Sequence, residues 1–257
     1  MRQTICEVPG IAVGNVTDAS AQTGCTCVLF ADGATAGVDV RGGAPGTRET
    51  DVLDPVNTVE RVHAVVFAGG STFGLDAATG VMRYLEERGI GLDVGVAKIP
   101  IVPAAVIFDL VVAKRRPDAA MGYDAACAAS HAAFACGNSG SGTGATVGKL
   151  LGGAHAMKGG LGSAAIARNW SGRRLVVGAL AVVNAVGHVR DPGSGEILAG
   201  PRASDGRLLD SAELLMTMEP EAFHPRIGSG RNTTIALVAT NARLNKTQAT
   251  RLAQVTH

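Results

Sequence analysis

"GSGRNTTIALVAT" (228–240) sets two unlike kinds of chain side by side. Gly228, Ser229 and Gly230 are loop formers. The run from Ile235 to Ala239 is apolar throughout and reads as a buried strand. Between them stand Asn232, Thr233 and Thr234, with no spacer. Read alone, this is a strand start, because Thr is β-branched and Asn suits the preceding turn. A second reading is chemical. A Thr hydroxyl is a weak nucleophile unless a base takes its proton, and a Thr at a chain N-terminus carries that base as its own α-amine. Such an amine has a reference pKa of about 7.7–8.0, near working pH. Making it requires breaking the 232–233 peptide bond: Thr233 Oγ attacks the Asn232 carbonyl carbon and water hydrolyses the resulting ester. A pliant loop before a rigid strand gives access on one side of that bond and a fixed nucleophile on the other.

Moving outward, the neighbouring segments read as sheet and helix. "CTCVLF" (25–30), "HAVVFAGG" (63–70), "AAVIFDLVV" (104–112), "LVVGALAVV" (175–183) and "TIALVAT" (234–240) are near-continuous apolar runs, expected of strands covered on both faces. "GLDAATGVMRYLEERG" (74–89) sets Leu75, Ala78, Val81, Met82 and Leu85 on one helical stripe and stops at Gly89. "PDAAMGYDAACAASHAAFACG" opens a helix at Pro117-Asp118 and is expected to run to Gly137. From about 189 to 232 the chain is rich in Pro, Gly and charge, a long connection with one short helix in "DSAELLMTM" (210–218). Asn245 and Gln248 have the spacing of a capping box, with Leu244 as a hydrophobic staple.

Composition excludes several functions. The 257 residues are 46% hydrophobic and 18% charged, so a sizeable core is expected rather than disorder. A net charge of +1, with "AKRRP" (113–117) the densest basic cluster, argues against nucleic-acid and anionic-membrane partners. "MRQTICEVPGIAVGN" lacks the apolar core of a signal peptide, and "IPIVPAAVIFDLVVA" (99–113) is too short and interrupted to span a bilayer. Five Cys without framework spacing suit a reducing, cytoplasmic setting, and Cys25 with Cys27 lacks the further ligands a zinc site needs. "GNSGSGTGATVGKLLGG" (137–153) fails the phosphate-loop pattern at Thr143 and Leu150 and follows a helix rather than a strand, so no nucleotide is expected. Lys149 projects from that glycine-rich backbone. No cofactor and no metal are expected.

"GNVTD", "GCTCVLF", "GVDVRGGAPGTRETD", "HAVVFAGGSTFGLDAATGVMRYLEE", "IPIVPAAVIFDL", "GTGATVGK", "VVNAVGHV" and "NTTIALVATNARL" together resemble the L-aminopeptidase/D-esterase family. That family includes β-peptidyl aminopeptidases and the 6-aminohexanoate-oligomer endohydrolase. The resemblance runs from about residue 7 to 257, and the 232–233 junction is its most specific part. It implies an α/β, four-layer αββα sandwich of the N-terminal-nucleophile kind, one domain that cuts itself into an α chain (1–232) and a β chain beginning at 233. By the same resemblance Thr233 is the nucleophile, Asn232 precedes the cut, Asn184 presents its amide to the oxyanion, and Lys149 contacts the nucleophile's surroundings. Phe108 stands in a substrate-binding place where some relatives carry Tyr. The family's β chain is expected to continue past His257, through an acidic pair thought to orient the new amine. The implied partners are a small peptide or amino-acid-oligomer substrate and further copies of the chain, in a tetramer of αβ units. An acyltransferase resembling ornithine acetyltransferase, or an inactive scaffold, are the competing readings.

Overall fold

The structure, a computed structural model, describes residues 3–219 and 231–257. The Gly228-Ser229-Gly230 loop reading therefore lies outside the described residues. Two sheets carry the fold. The first holds β1 (Ile11–Asp18), β2 (Thr23–Ala34), β3 (Thr47–Arg48), β4 (Val62–Ala68) and β5 (Ala104–Val106), in the order β1-β2-β4-β5-β3. All its pairings are antiparallel except that of β4 with β5. The second is an antiparallel meander of β6 (Gly160–Trp170), β7 (Arg173–Asn184) and β8 (Thr233–Thr240), in the order β6-β7-β8.

Period-two alternation divides β2 between two apolar layers. Cys25 and Cys27 face a helix layer with Val66, Ala78, Val81 and Met121, whereas Val28 and Phe30 join Leu161, Val176, Leu180 and Val182 between the sheets. Burial pushes the Cys25 thiol up to about 12 and that of Cys27 well up too, so both stay protonated packing groups.

The helix layer is α1 (Ala77–Glu86) and α2 (Ala119–Cys127). Gly89, at φ +64°, follows α1 as the sequence suggested. Asp118 caps α2 by accepting from Met121 N–H at 2.9 Å. The two helices touch backbone to backbone. A Cβ on Gly80 would land on the Ala119 carbonyl oxygen, and one on Gly122 on that of Ala77. Helix propensity favours Ala over Gly by about 1 kcal/mol, but overpacking against an immovable neighbour costs about 1–3 kcal/mol. The steric term wins here because the obstacle is main chain. Gly80→Ala is expected to lower the melting temperature by several degrees, about 2–4 °C per kcal/mol for a domain of this size. A rise in melting temperature on scanning calorimetry would contradict the backbone contact.

Three sequence expectations need correction. The run 104–112 is a strand only to Val106. Beyond it Ile107 still bonds Ala68 and Ser71, but Asp109 turns its carboxylate inward and its carbonyl accepts from Val112 and Ala113, closing a turn. The helix expected to reach Gly137 ends at Cys127, because Ser130 leaves it to exchange two backbone hydrogen bonds with Val13 at the edge of β1. The second sheet is not equally covered on both faces: in β7 the residues Val176, Gly178, Leu180, Val182 and Asn184 are buried while those between them are only half-buried. Among the described residues the remaining α-helices, α3 (Ser211–Thr217) and α4 (Lys246–Thr256), match their expected places, and α4 carries the Asn245–Gln248 capping box. Among the described residues no helix is long and apolar enough to cross a membrane.

Candidate active site

Strand register brings the site together. β7 and β8 pair antiparallel so that Val183 lies opposite Thr234 and Asn184 opposite Thr233. The last residue of one strand thus meets the first of the next. Alternation along β7 turns Asn184 to the inner face with Leu180 and Val182, and there its side chain is fully buried.

A buried carboxamide must find partners for both ends. Asn184 Oδ1 accepts from Lys149 Nζ at 2.9 Å, Thr146 N–H at 3.0 Å and Thr146 Oγ1 at 3.4 Å. Its Nδ2 donates to the carbonyls of Phe108 at 3.0 Å and Arg231 at 3.1 Å. A backbone N–H can only donate and a carbonyl can only accept, so this set fixes which end of the amide is which.

Lys149 arrives from the glycine-rich segment, its own N–H held by the Val186 carbonyl at 2.9 Å. Its ammonium donates to Asn184 Oδ1 and Asn184 O, both at 2.9 Å, and to Arg231 O at 3.2 Å. These are three neutral acceptors. Burial therefore goes uncompensated by a carboxylate and brings the Lys149 amine down from 10.5 to about 8.

The sign of the linkage follows. The unfolded chain holds this proton more tightly, so folding stability rises with pH from about 8 towards 10.5 and is lowest, and level, below that window. Lys149→Met removes the titration. The melting temperature of the unsubstituted protein minus that of Lys149→Met should therefore grow between about pH 7 and about pH 10. A constant difference across that range would sink the assignment.

The structure thus brings Lys149, Asn184 and the 231–233 segment to one place. Asn232 is half-buried, and its Oδ1 has no partner among the described residues. Phe108 contributes chiefly through its carbonyl; its ring lies under the Arg231 guanidinium, 6.0 Å from the centroid. Two contributors escaped the sequence reading. Thr146 stands inside "GTGATVGK" and locks the amide, while Arg231 supplies a main-chain oxygen that no side-chain pattern announces.

Two polar donors converging on one carbonyl oxygen make an electrophile-stabilising arrangement. Thr233, the first residue of β8, lies opposite Asn184 in the strand pairing.

Known proteins resemble this chain over nearly its whole length. The model of peptidase family S58 matches residues 3–257. A protein described as an uncharacterized aminopeptidase of Mycobacterium tuberculosis (strain ATCC 25618 / H37Rv) is 44% identical over 272 aligned residues, spanning 99% of this chain and 74% of the relative. The 6-aminohexanoate-oligomer endohydrolase of Kocuria sp. (strain KY2) is 29% identical, over 98% of this chain and 67% of its own. Among solved structures, the L-aminopeptidase D-Ala-esterase/amidase of Ochrobactrum anthropi, described as a variant of the Ntn hydrolase fold, superposes with a TM-score of 0.69 at 19% identity. That match covers 99% of this chain and 68% of the other. At that identity the likeness speaks to the fold alone. The chain belongs to peptidase family S58 and is an amide-bond hydrolase.

Proposed function

We propose that the protein is a self-processing N-terminal-threonine hydrolase, cut between Asn232 and Thr233, that hydrolyses short peptides, β-peptides or ω-amino-acid oligomers through an ester on Thr233. The observation that carries this reading is the pairing of Thr233 with Asn184, whose amide and Lys149 together hold a carbonyl oxygen from the adjoining 231 peptide. In the uncut chain those donors grip Arg231, one residue before the scissile carbonyl. Self-cleavage needs the Asn232 carbonyl in that grip, so the segment must advance by one peptide unit. Thr233 Oγ then adds to the Asn232 carbonyl carbon, the C–N bond breaks, the nitrogen gains a proton, and water hydrolyses the ester to leave Asn232 with a carboxylate. The freed amine takes the Thr233 hydroxyl proton in each later turnover, while Asn184 and Lys149 face the substrate's oxyanion.

In this reading residues 1–232 form the α chain and 233–257 belong to the β chain. The small apolar outer face of the second sheet, with Val177, Ala179, Ala181 and Val238, supports a fourth layer outside it. A cytoplasmic location and a tetramer of αβ units belong to the same proposal. Relatives named as an aminopeptidase and a 6-aminohexanoate-oligomer endohydrolase make the acyl unit the open variable. A panel of aminoacyl anilides, β-dipeptides and 6-aminohexanoate oligomers tests it, with release of free amine in at least one class expected. Acetyl transfer from acetylornithine to glutamate, with none of those amides hydrolysed, would favour the acyltransferase instead.

A further inference from the structure

The Asn184 amide has two N–H bonds and the site gives them different roles. One points to Arg231 O, the position a reacting carbonyl takes in the proposed mechanism; the other is spent on Phe108 O. The geometry of the first therefore depends on where the Phe108 carbonyl is held.

Phe108 is clamped from both sides. Before it, Ile107 N–H bonds the Ala68 carbonyl at 2.9 Å and the Ile107 carbonyl accepts from Ser71 at 3.0 Å. After it comes Asp109, only 2% exposed, whose carboxylate takes no part in the proposed chemistry. Its Oδ1 accepts from Gly70 N–H at 2.6 Å and its Oδ2 from the Thr23 hydroxyl at 2.7 Å. Close approach is possible only because the surrounding backbone lacks side chains. A Cβ on Gly69 would collide with Asp109 Oδ2, and one on Gly144 with the same carboxyl group. Gly144 lies in the segment that goes on to supply Thr146 and Lys149. Lys158 adds a tie by donating to the Thr143 carbonyl at 3.0 Å.

A carboxylate buried this deeply is unfavourable unless its hydrogen bonds repay the desolvation. Packing alone would be served as well by an apolar residue. The position instead joins the start of β2, the turn after β4, the glycine-rich segment and the peptide that anchors Asn184.

We propose that Asp109 is a positioning residue for the Asn184 amide: it fixes the Phe108 carbonyl that holds one N–H, so that the other is aimed at the reacting carbonyl. This rests on the proposed role of Asn184. Asp109→Asn keeps the volume and an acceptor for Gly70, but removes the charge that strengthens both bonds and puts a donor where Oδ2 accepts from the Thr23 hydroxyl. Thr23→Val removes one of the two bonds at near-constant volume.

The test uses the full chain. Asp109→Asn is expected to lower kcat about 10- to 100-fold, the scale of a small misplacement of a reacting group, with little change in KM. Thr23→Val should act in the same direction but more weakly, and it carries the test should Asp109→Asn fail to fold. If Asp109 acts through Asn184, then in an Asn184→Ala background Asp109→Asn should have no effect beyond about twofold, the limit of ordinary additivity. Equal losses in both backgrounds, or a change confined to KM, would overturn the inference while leaving the nucleophile assignment intact. A second arm needs no turnover and so separates the two claims. In uncut, 15N-asparagine-labelled Thr233→Ala protein, adding Asp109→Asn should shift the Asn184 carboxamide signals, assigned by their loss in Asn184→Ala. Unmoved signals would overturn the positioning role even if the parent reading had already failed.

Discussion

Thr233→Ala protein is expected to remain one polypeptide and to show no measurable amide hydrolysis. Two functions are lost at once. Without Oγ there is no attack on the Asn232 carbonyl, hence no cut, and without the cut there is neither a nucleophile nor an α-amine to activate it. Where a nucleophile has been removed from a comparable hydrolase the loss is on the order of a millionfold in kcat, beyond any plausible packing effect. Thr233 is half-buried at the first position of β8, so truncation to Ala should disturb the strand little. Thr233→Ser keeps the oxygen and loses only the β-branch that restrains its rotamer. It should still be cut and still turn over, more slowly. Intact mass spectrometry and an anilide assay read both outcomes, and hydrolysis by undivided Thr233→Ala would place the nucleophile elsewhere.

In protein that has been cut, Asn184→Ala should lower kcat by about 10²–10³-fold, the range seen on removal of one oxyanion donor, with KM moving much less. The cut itself should be slower, because the same amide holds the Asn232 carbonyl. Stability falls too, because the side chain is fully buried and its loss strands Lys149, Thr146 and two carbonyls. Each unsatisfied buried group costs about 1–3 kcal/mol. Asn184→Asp separates the two effects. An aspartate keeps the volume and the acceptor facing Lys149 and Thr146, but offers the Phe108 and Arg231 carbonyls no hydrogen. Asn184→Asp should melt above Asn184→Ala, because fewer buried groups lose their partners, and yet match its kinetics. Near-normal kcat in the aspartate variant would remove the amide from the chemistry.

Much of this was legible in the sequence, and the gaps have physical causes. "LVVGALAVV" and "TIALVAT" mark β7 and β8 to within two residues at each end, since apolar β-branched runs between turn signals leave few alternatives. That Asn184 and Thr233 face each other was not legible, because register belongs to a pairing across the 48 residues between the strands, not to either run. "AAVIFDLVV" looked like one strand because its hydropathy is continuous; the turn is dictated by the carboxylate of Asp109 and its partners, which lie far off in sequence. The Ala-rich run after Asp118 has helix propensity throughout, yet Ser130 does better as a sheet-edge partner of Val13, a case of tertiary bonding overriding propensity. In the site, Lys149, Asn184 and Thr233 carried motif signals. The Phe108 and Arg231 carbonyls could not, because every residue has a carbonyl and only the fold says where it points.

The most direct measurement is the intact mass and N-terminal sequence of the purified, unsubstituted protein. Two chains are expected, with masses that sum to the undivided chain plus one water and with the second beginning at Thr233. A single undivided chain that nevertheless hydrolyses amides would contradict the central claim.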